Sequence, residues 1–122
     1  MKIVNHYRVA PPVYLTSDIK ATSIIDPDGG GRMSAHEIWM PADTEYPPHQ
    51  HPSPHILIVL EGGGWVWCGQ TDRRSLLDAG DVFSVLENVP HQVGADYRGT
   101  VLLAVSVDSL PLTDPARMEI LS

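Results

Sequence analysis

The amino-acid sequence predicts an all-β domain, a sandwich or barrel of short strands, and three observations carry that prediction. Twelve valines and eight isoleucines, residues whose branched side chains fit a pleated and half-buried surface, are spread along the 122 residues in short runs. Clusters of Gly, Pro, Asp and Asn separate the runs at regular spacing, as in a sandwich or barrel. Helical signals are scarce, and the chain is long enough for one packed core. With no internal repeat, linker or composition break, residues 1–122 are read as a single domain.

In chain order, strands are expected over 2–9, 12–15, 19–25, 32–40, 49–51, 55–60, 64–68, 75–78, 82–86, 90–94 and 100–107, each bounded by a turn cluster. The prolines at 47, 48, 52 and 54 interrupt regular pairing, so 49–51 is a bent strand end. Three reversals are expected where polar residues and glycines supply unusual dihedrals: Asp26-Pro27-Asp28-Gly29-Gly30-Gly31, Glu61-Gly62-Gly63, and Gly69 to Arg74. Only the C-terminus reads as helical. There Thr113 or Asp114 can cap, and Pro115 can open a short helical turn ending near Leu121.

Fifteen Asp and Glu against eight Lys and Arg give a formal charge of −7, which argues against phosphate backbones and anionic membranes as partners. The N-terminal Met1-Lys2-Ile3-Val4-Asn5-His6 lacks the apolar core of a secretory signal, and the run from Ile56 to Leu60 is far too short to span a bilayer. The single cysteine, Cys68, forms no internal disulfide, so a cytoplasmic location is expected.

Histidines carry the chemistry. His49, His51 and His55 fall within seven residues of the six-histidine chain. Alternate residues of a strand share a face, so His49 and His51 can reach one ion. His55 opens the next strand, and His91, some 36 positions further on, follows the reversal Glu87-Asn88-Val89-Pro90 and can close the site from a neighbouring strand. The plain alternative is four imidazoles that happen to be spaced like ligands. Another is a closed structural site, with four protein ligands around tetrahedral zinc.

The run His49-Gln50-His51-Pro52-Ser53-Pro54-His55, continuing to Val59-Leu60-Glu61-Gly62, resembles the first cupin motif, and Gly80-Asp81 to His91 resembles the second. Together they cover about residues 30–107. Two departures stand out. His55 occupies a position where the family usually has Glu, and Leu86 and Asn88 replace the customary Pro and Gly of the second motif, although Asn tolerates the left-handed conformation such a turn can require. The resemblance implies a double-stranded β-helix, or jelly-roll barrel, and a homodimer. It also implies one divalent transition metal, manganese, iron, copper, zinc or nickel, on His49, His51, His55 and His91.

Cupins include dioxygenases, isomerases, lyases, cyclases and sugar-binding sensors, so the resemblance implies a site and not a reaction. The expected function is a metal-dependent enzyme, dioxygenase-like, acting on a small enolisable or anionic molecule. The alternatives are a non-catalytic metabolite sensor and a non-redox isomerase, cyclase or lyase. His36, Tyr46 and Gln92 are candidates for catalytic or orienting roles, each with an ordinary strand residue as its alternative. Trp39, Trp65 and Trp67 are expected to pack a core or a dimer surface, and Cys68 to act as a small apolar residue.

Overall fold

The structure is a computed structural model that describes Ile3 and residues 11–25, 33–107 and 114–121. The described residues form nine strands: β1 (Val13–Tyr14), β2 (Lys20–Ile25), β3 (Met33–Met40), β4 (His49–Gln50), β5 (His55–Cys68), β6 (Arg73–Asp78), β7 (Val82–Val85), β8 (His91–Val107) and β9 (Glu119–Ile120). Among the described residues the one helical segment is a turn of 3-10 helix over Pro115–Arg117. One path through the sheet runs β1-β2-β3-β8-β4-β9, while β5 pairs β6, β7 and β8, so the strands curl into a jelly-roll barrel. The expected strand over 2–9 and the reversal at 26–31 fall almost wholly outside the described residues.

Two long strands form the spine. β5 and β8 run antiparallel from the pair His55 with Ser106 to the pair Cys68 with His91. Along β5, His55, Leu57 and Val59 are buried and alternate with the more exposed Ile56, Ile58 and Leu60, the period-two pattern of a strand with one face on the core. In β8 the inward set changes parity, from His91, Val93 and Ala95 to Thr100, Leu102, Ala104 and Ser106. Register shifts on either side of Glu61 and Gly62 mark the irregularity that turns the sheet there. Inside, Leu57, Val59, Val93, Leu102 and Ala104 join Ile19, Met40 and Val85 in the core.

The expected reversal at Glu61-Gly62-Gly63 is a bend within one strand. Gly62 has φ +72 and Gly99, across from it, φ +71; a Cβ on Gly62 would run into the carbonyl of Gly99. The glycines let two backbones close on each other while both chains carry on, and a sequence cannot distinguish that need from a hairpin turn. Likewise the expected strand 64–68 is part of β5, and that over 90–94 falls in β8 from His91 onward. The C-terminal segment is also less helical than expected. Asp114 caps a single turn by accepting from the Ala116 N–H at 2.9 Å, and the chain then extends into β9, which pairs Ile120 with His49 and Glu119 with Gln50.

Candidate metal centre

His49 and His91 are register partners across β4 and β8, so two imidazoles on one inward face are set side by side by the sheet itself. His51 lies two residues beyond His49 and is buried on the same side, as strand alternation requires. A backbone bond fixes its distance from His91: the Asn88 N–H donates to the His51 carbonyl at 2.8 Å, tying the turn before β8 to the bend after β4. Asn88 itself adopts φ +53, the left-handed conformation expected of it.

One ring nitrogen from each of His49, His51 and His91 lies within 4.8 Å of the other two. That is close to the roughly 3–4 Å between imidazole nitrogens sharing an ion, given metal–nitrogen bonds of about 2.0–2.1 Å. Ring centroids are 4.2 Å apart for His49 and His91, 4.7 Å for His51 and His91, and 5.6 Å for His49 and His51. Each ring is oriented by its own backbone. Nδ1 of His49 meets the Pro47 carbonyl at 2.9 Å, Nδ1 of His51 the Ser53 carbonyl at 3.0 Å, and Nδ1 of His91 the Val89 carbonyl at 2.8 Å. A carbonyl only accepts, so each Nδ1 carries the proton, and in the neutral ring the lone pair sits on Nε2. Three rings oriented in one tautomer by fixed acceptors are the donor set of a protein-bound transition metal, and these residues fit one.

His55 stands beside this trio. Its ring stacks on His51 at 3.6 Å and 12°, and its Nε2 meets Ser53 Oγ at 3.2 Å. The structure thus gathers three of the four expected ligands around one point and places the fourth against them.

Burial sets the electrostatics. His49 is pushed down to about 3, mainly by burial and then by the neighbouring His91, against the opposing pull of the Pro47 carbonyl. His55 is pushed down to about 2 by burial, with His51 and the Arg117 guanidinium adding to it. Burial also lowers His91, opposed by its bond to the Val89 carbonyl. At neutral pH these rings are therefore uncharged, the form that binds metal.

The histidines line a cavity of about 60 Å³, enough for a few water-sized groups, whose remaining wall is mostly apolar: Leu15, Ile38, Leu57, Val93 and Leu102 among others. Tyr46 also lines it, with its ring 4.9 Å edge-on from His49, and burial raises its phenol so that it stays protonated. His36 lines the cavity from β3. Gln92 is absent from the lining residues, because next to the inward His91 strand alternation sends it to the other face. None of the three tryptophans lines the cavity: Trp65 lies under the Arg74 guanidinium, Trp67 donates to Asp72, and Trp39 lies under Lys20. Two lining residues carried no sequence signal, Arg117 and Met118, which a chain segment far from the motifs brings over the histidines.

A family model for the AraC-like ligand binding domain matches residues 33–108. The chain belongs to that family, which is of the cupin type. Among solved structures this cupin is similar to the polyketide cyclase RemF from Streptomyces resistomycificus (24% identity, TM-score 0.78, 100% of this chain and 87% of that one). It is similar also to an RmlC-like cupin from Shewanella frigidimarina (20% identity, TM-score 0.71, 84% and 86%). A salicylate 1,2-dioxygenase from Pseudaminobacter salicylatoxidans matches at 22% identity and TM-score 0.73, over 89% of this chain but 32% of its own. At such identities the likeness is one of fold. No curated protein matches the chain in sequence.

Proposed function

We propose that this cupin is a metal-dependent enzyme that acts on a small anionic or enolisable organic molecule, with an oxygenase as the leading reaction class. The observation that carries the reading is the buried trio His49, His51 and His91, each ring oriented by a backbone carbonyl, opening on a small and mostly apolar cavity. Bound there, a divalent manganese, iron, copper, zinc or nickel ion would supply Lewis acidity and, for a redox-active metal, a place to bring oxygen beside substrate. The residues' own tasks follow from their positions. Nε2 of the three rings would hold the ion, and His55, turning from Ser53 Oγ, would complete the set. Leu57, Val93 and Leu102 exclude bulk water, and the protonated Tyr46 phenol, whose O–H donates to Met118 Sδ at 3.5 Å, forms part of the wall beside His49.

Two other readings have an observation each. The family match to a ligand-binding domain favours a sensor, and the full-length likeness to a polyketide cyclase favours non-redox chemistry. Oxygen uptake by metal-loaded protein over a panel of small keto and hydroxy acids separates the three. An oxygenase consumes oxygen and stops anaerobically, a cyclase or isomerase turns over regardless of oxygen, and a sensor binds saturably without turnover.

The same proposal takes the chain as a cytoplasmic homodimer. The exposed Ile56, Leu60, Val82, Leu86 and Val107 support a partner surface, and light scattering that reports a monomer at micromolar concentration would remove it. Among the described residues no helix is long and apolar enough to cross a membrane.

A further inference from the structure

The histidine cavity, at about 60 Å³, is small beside the roughly 300–1,000 Å³ of most small-molecule sites, so an organic substrate needs further room. Room lies next to it. Outside the cavity, Gln50, Pro52, Asn88, Pro115 and Ala116 surround a second hollow of about 390 Å³, between the bend after β4, the turn before β8 and the C-terminal segment. Among the described residues, His51 and Met118 line both hollows. The two spaces therefore adjoin at this pair of side chains.

Register explains why Met118 is there. β9 pairs Ile120 with His49 and Glu119 with Gln50, so the next step of the same antiparallel register sets Met118 opposite His51. Met118 is extended, with φ −150 and ψ 145, and alternation places it on the face that carries His49 and His51, while Glu119 turns the other way to accept from Gln50 Nε2 at 3.2 Å. The backbone is anchored on both sides of it. Before it the Ala116 N–H donates to Asp114 Oδ1 at 2.9 Å, and after it the Leu121 N–H donates to the Pro48 carbonyl at 2.8 Å. The side chain is held more loosely. Its Sδ accepts the Tyr46 O–H at 3.5 Å, and a thioether is a weak acceptor on a chain of three rotatable bonds. A fixed backbone that carries a flexible, weakly tethered side chain is what a gate between two spaces needs.

We propose that Met118 is the gate of this site and the residue that sets the width of what it accepts: substrate reaches the histidines from the outer hollow, past a Met118 side chain that swings away from Tyr46 to admit it. This rests on the reading of the histidine cavity as the reaction site, but its test needs no metal. Tyr46 is then a positioning residue that holds the gate closed through its O–H.

The test measures how fast diethyl pyrocarbonate, which acylates neutral imidazole, modifies His49, His51 and His91 in the metal-free full chain at pH 7, read residue by residue by mass spectrometry. Wild type is expected to react slowly. Met118→Ala should raise the rate at His51 by about tenfold or more, Tyr46→Phe, which releases the tether, should raise it by less, and the bulkier Met118→Phe should lower it. Leu15→Ala, which shortens a different side chain of the same lining, should leave the rates near those of wild type. An unchanged rate in a folded Met118→Ala would overturn the proposal, as would a rate in Leu15→Ala as high as in Met118→Ala, since the rings would then be reached another way. Should Met118→Ala not fold, Tyr46→Phe against Leu15→Ala decides in the same manner. Failure of the wild type to take up metal would sink the metal reading alone and leave this comparison standing.

Discussion

Two clusters of polar side chains in this barrel are built on opposite principles. On the outside, Arg98 donates to Asp96 at 2.8 Å and to Asp78 at 2.9 Å, joining β8 to the end of β6 with charges of both signs in contact with solvent. Inside, His49, His51, His55 and His91 crowd together with neighbouring ring centroids 3.6–5.6 Å apart, all potential cations, and the described residues of the lining they share include no acid. The outer cluster satisfies itself. The inner one does so only while its rings stay neutral, and burial holds His49 and His55 in that state. Imidazoles gathered and held neutral in a mostly apolar cavity keep lone pairs that the fold does not need, so their presence points to a ligand and not to folding.

The largest expected difference between the clusters is their response to metal. Zinc or manganese at a thousandfold excess over its Kd should stabilise the wild type by about 4 kcal/mol in thermal unfolding. His49→Ala, His51→Ala and His91→Ala should lose most of that gain, and His55→Ala should lose less, because its Nε2 is turned to Ser53 Oγ. A gain that survives all three substitutions would remove the distinction between the clusters.

Acid should act next most strongly, and on the inner cluster. The His49 pKa is lowered on folding, from an unfolded value of 6.5 to about 3, so its contribution is fully present above 6.5. Below that the unfolded state binds protons the folded state refuses, and stability falls until the folded group itself titrates near 3; His55 follows the same sign toward about 2. For metal-free protein at pH 4.5 the loss is on the order of 2–3 kcal/mol for each ring, checked by urea unfolding at pH 7 and 4.5. Substituting His49 by Gln should flatten that dependence; an unchanged slope would show that this ring is not the source.

The smallest effect belongs outside. Asp96 is held below the usual carboxylate range by its bonds to Arg98, yet it lies at the surface, where such contacts are screened by solvent and salt. Arg98→Ala should leave stability nearly unchanged and metal uptake as it is. A larger loss, read from the same urea curves, would make this cluster part of the barrel's support.

The contrast also explains what was legible in the sequence. Valine and isoleucine runs located the strands, and the period of two placed His49 with His51 on one face, because both are local consequences of the backbone. The bend at Gly62 looks like a reversal in the sequence, since the close approach of Gly99 that requires glycine comes from a segment far along the chain. The resemblance to the first motif implies His55 as a ligand, and its stacking on His51 comes from where the bend at Pro52 to Pro54 sends the chain, which no local pattern gives. Arg117 was invisible. Its seat is assembled from Ser34, His36 and Ser106 on two other strands, and no local pattern around Pro115 announces it.

Whether the buried histidines form a metal site is decided by elemental analysis of protein purified without added metal, wild type beside His51→Ala. One equivalent of a divalent transition metal per chain in the wild type and close to none in the variant, with both folded by circular dichroism, is the predicted result. Equal metal content in the two proteins, or none in the wild type even after incubation with manganese, iron, copper, zinc and nickel, would contradict it.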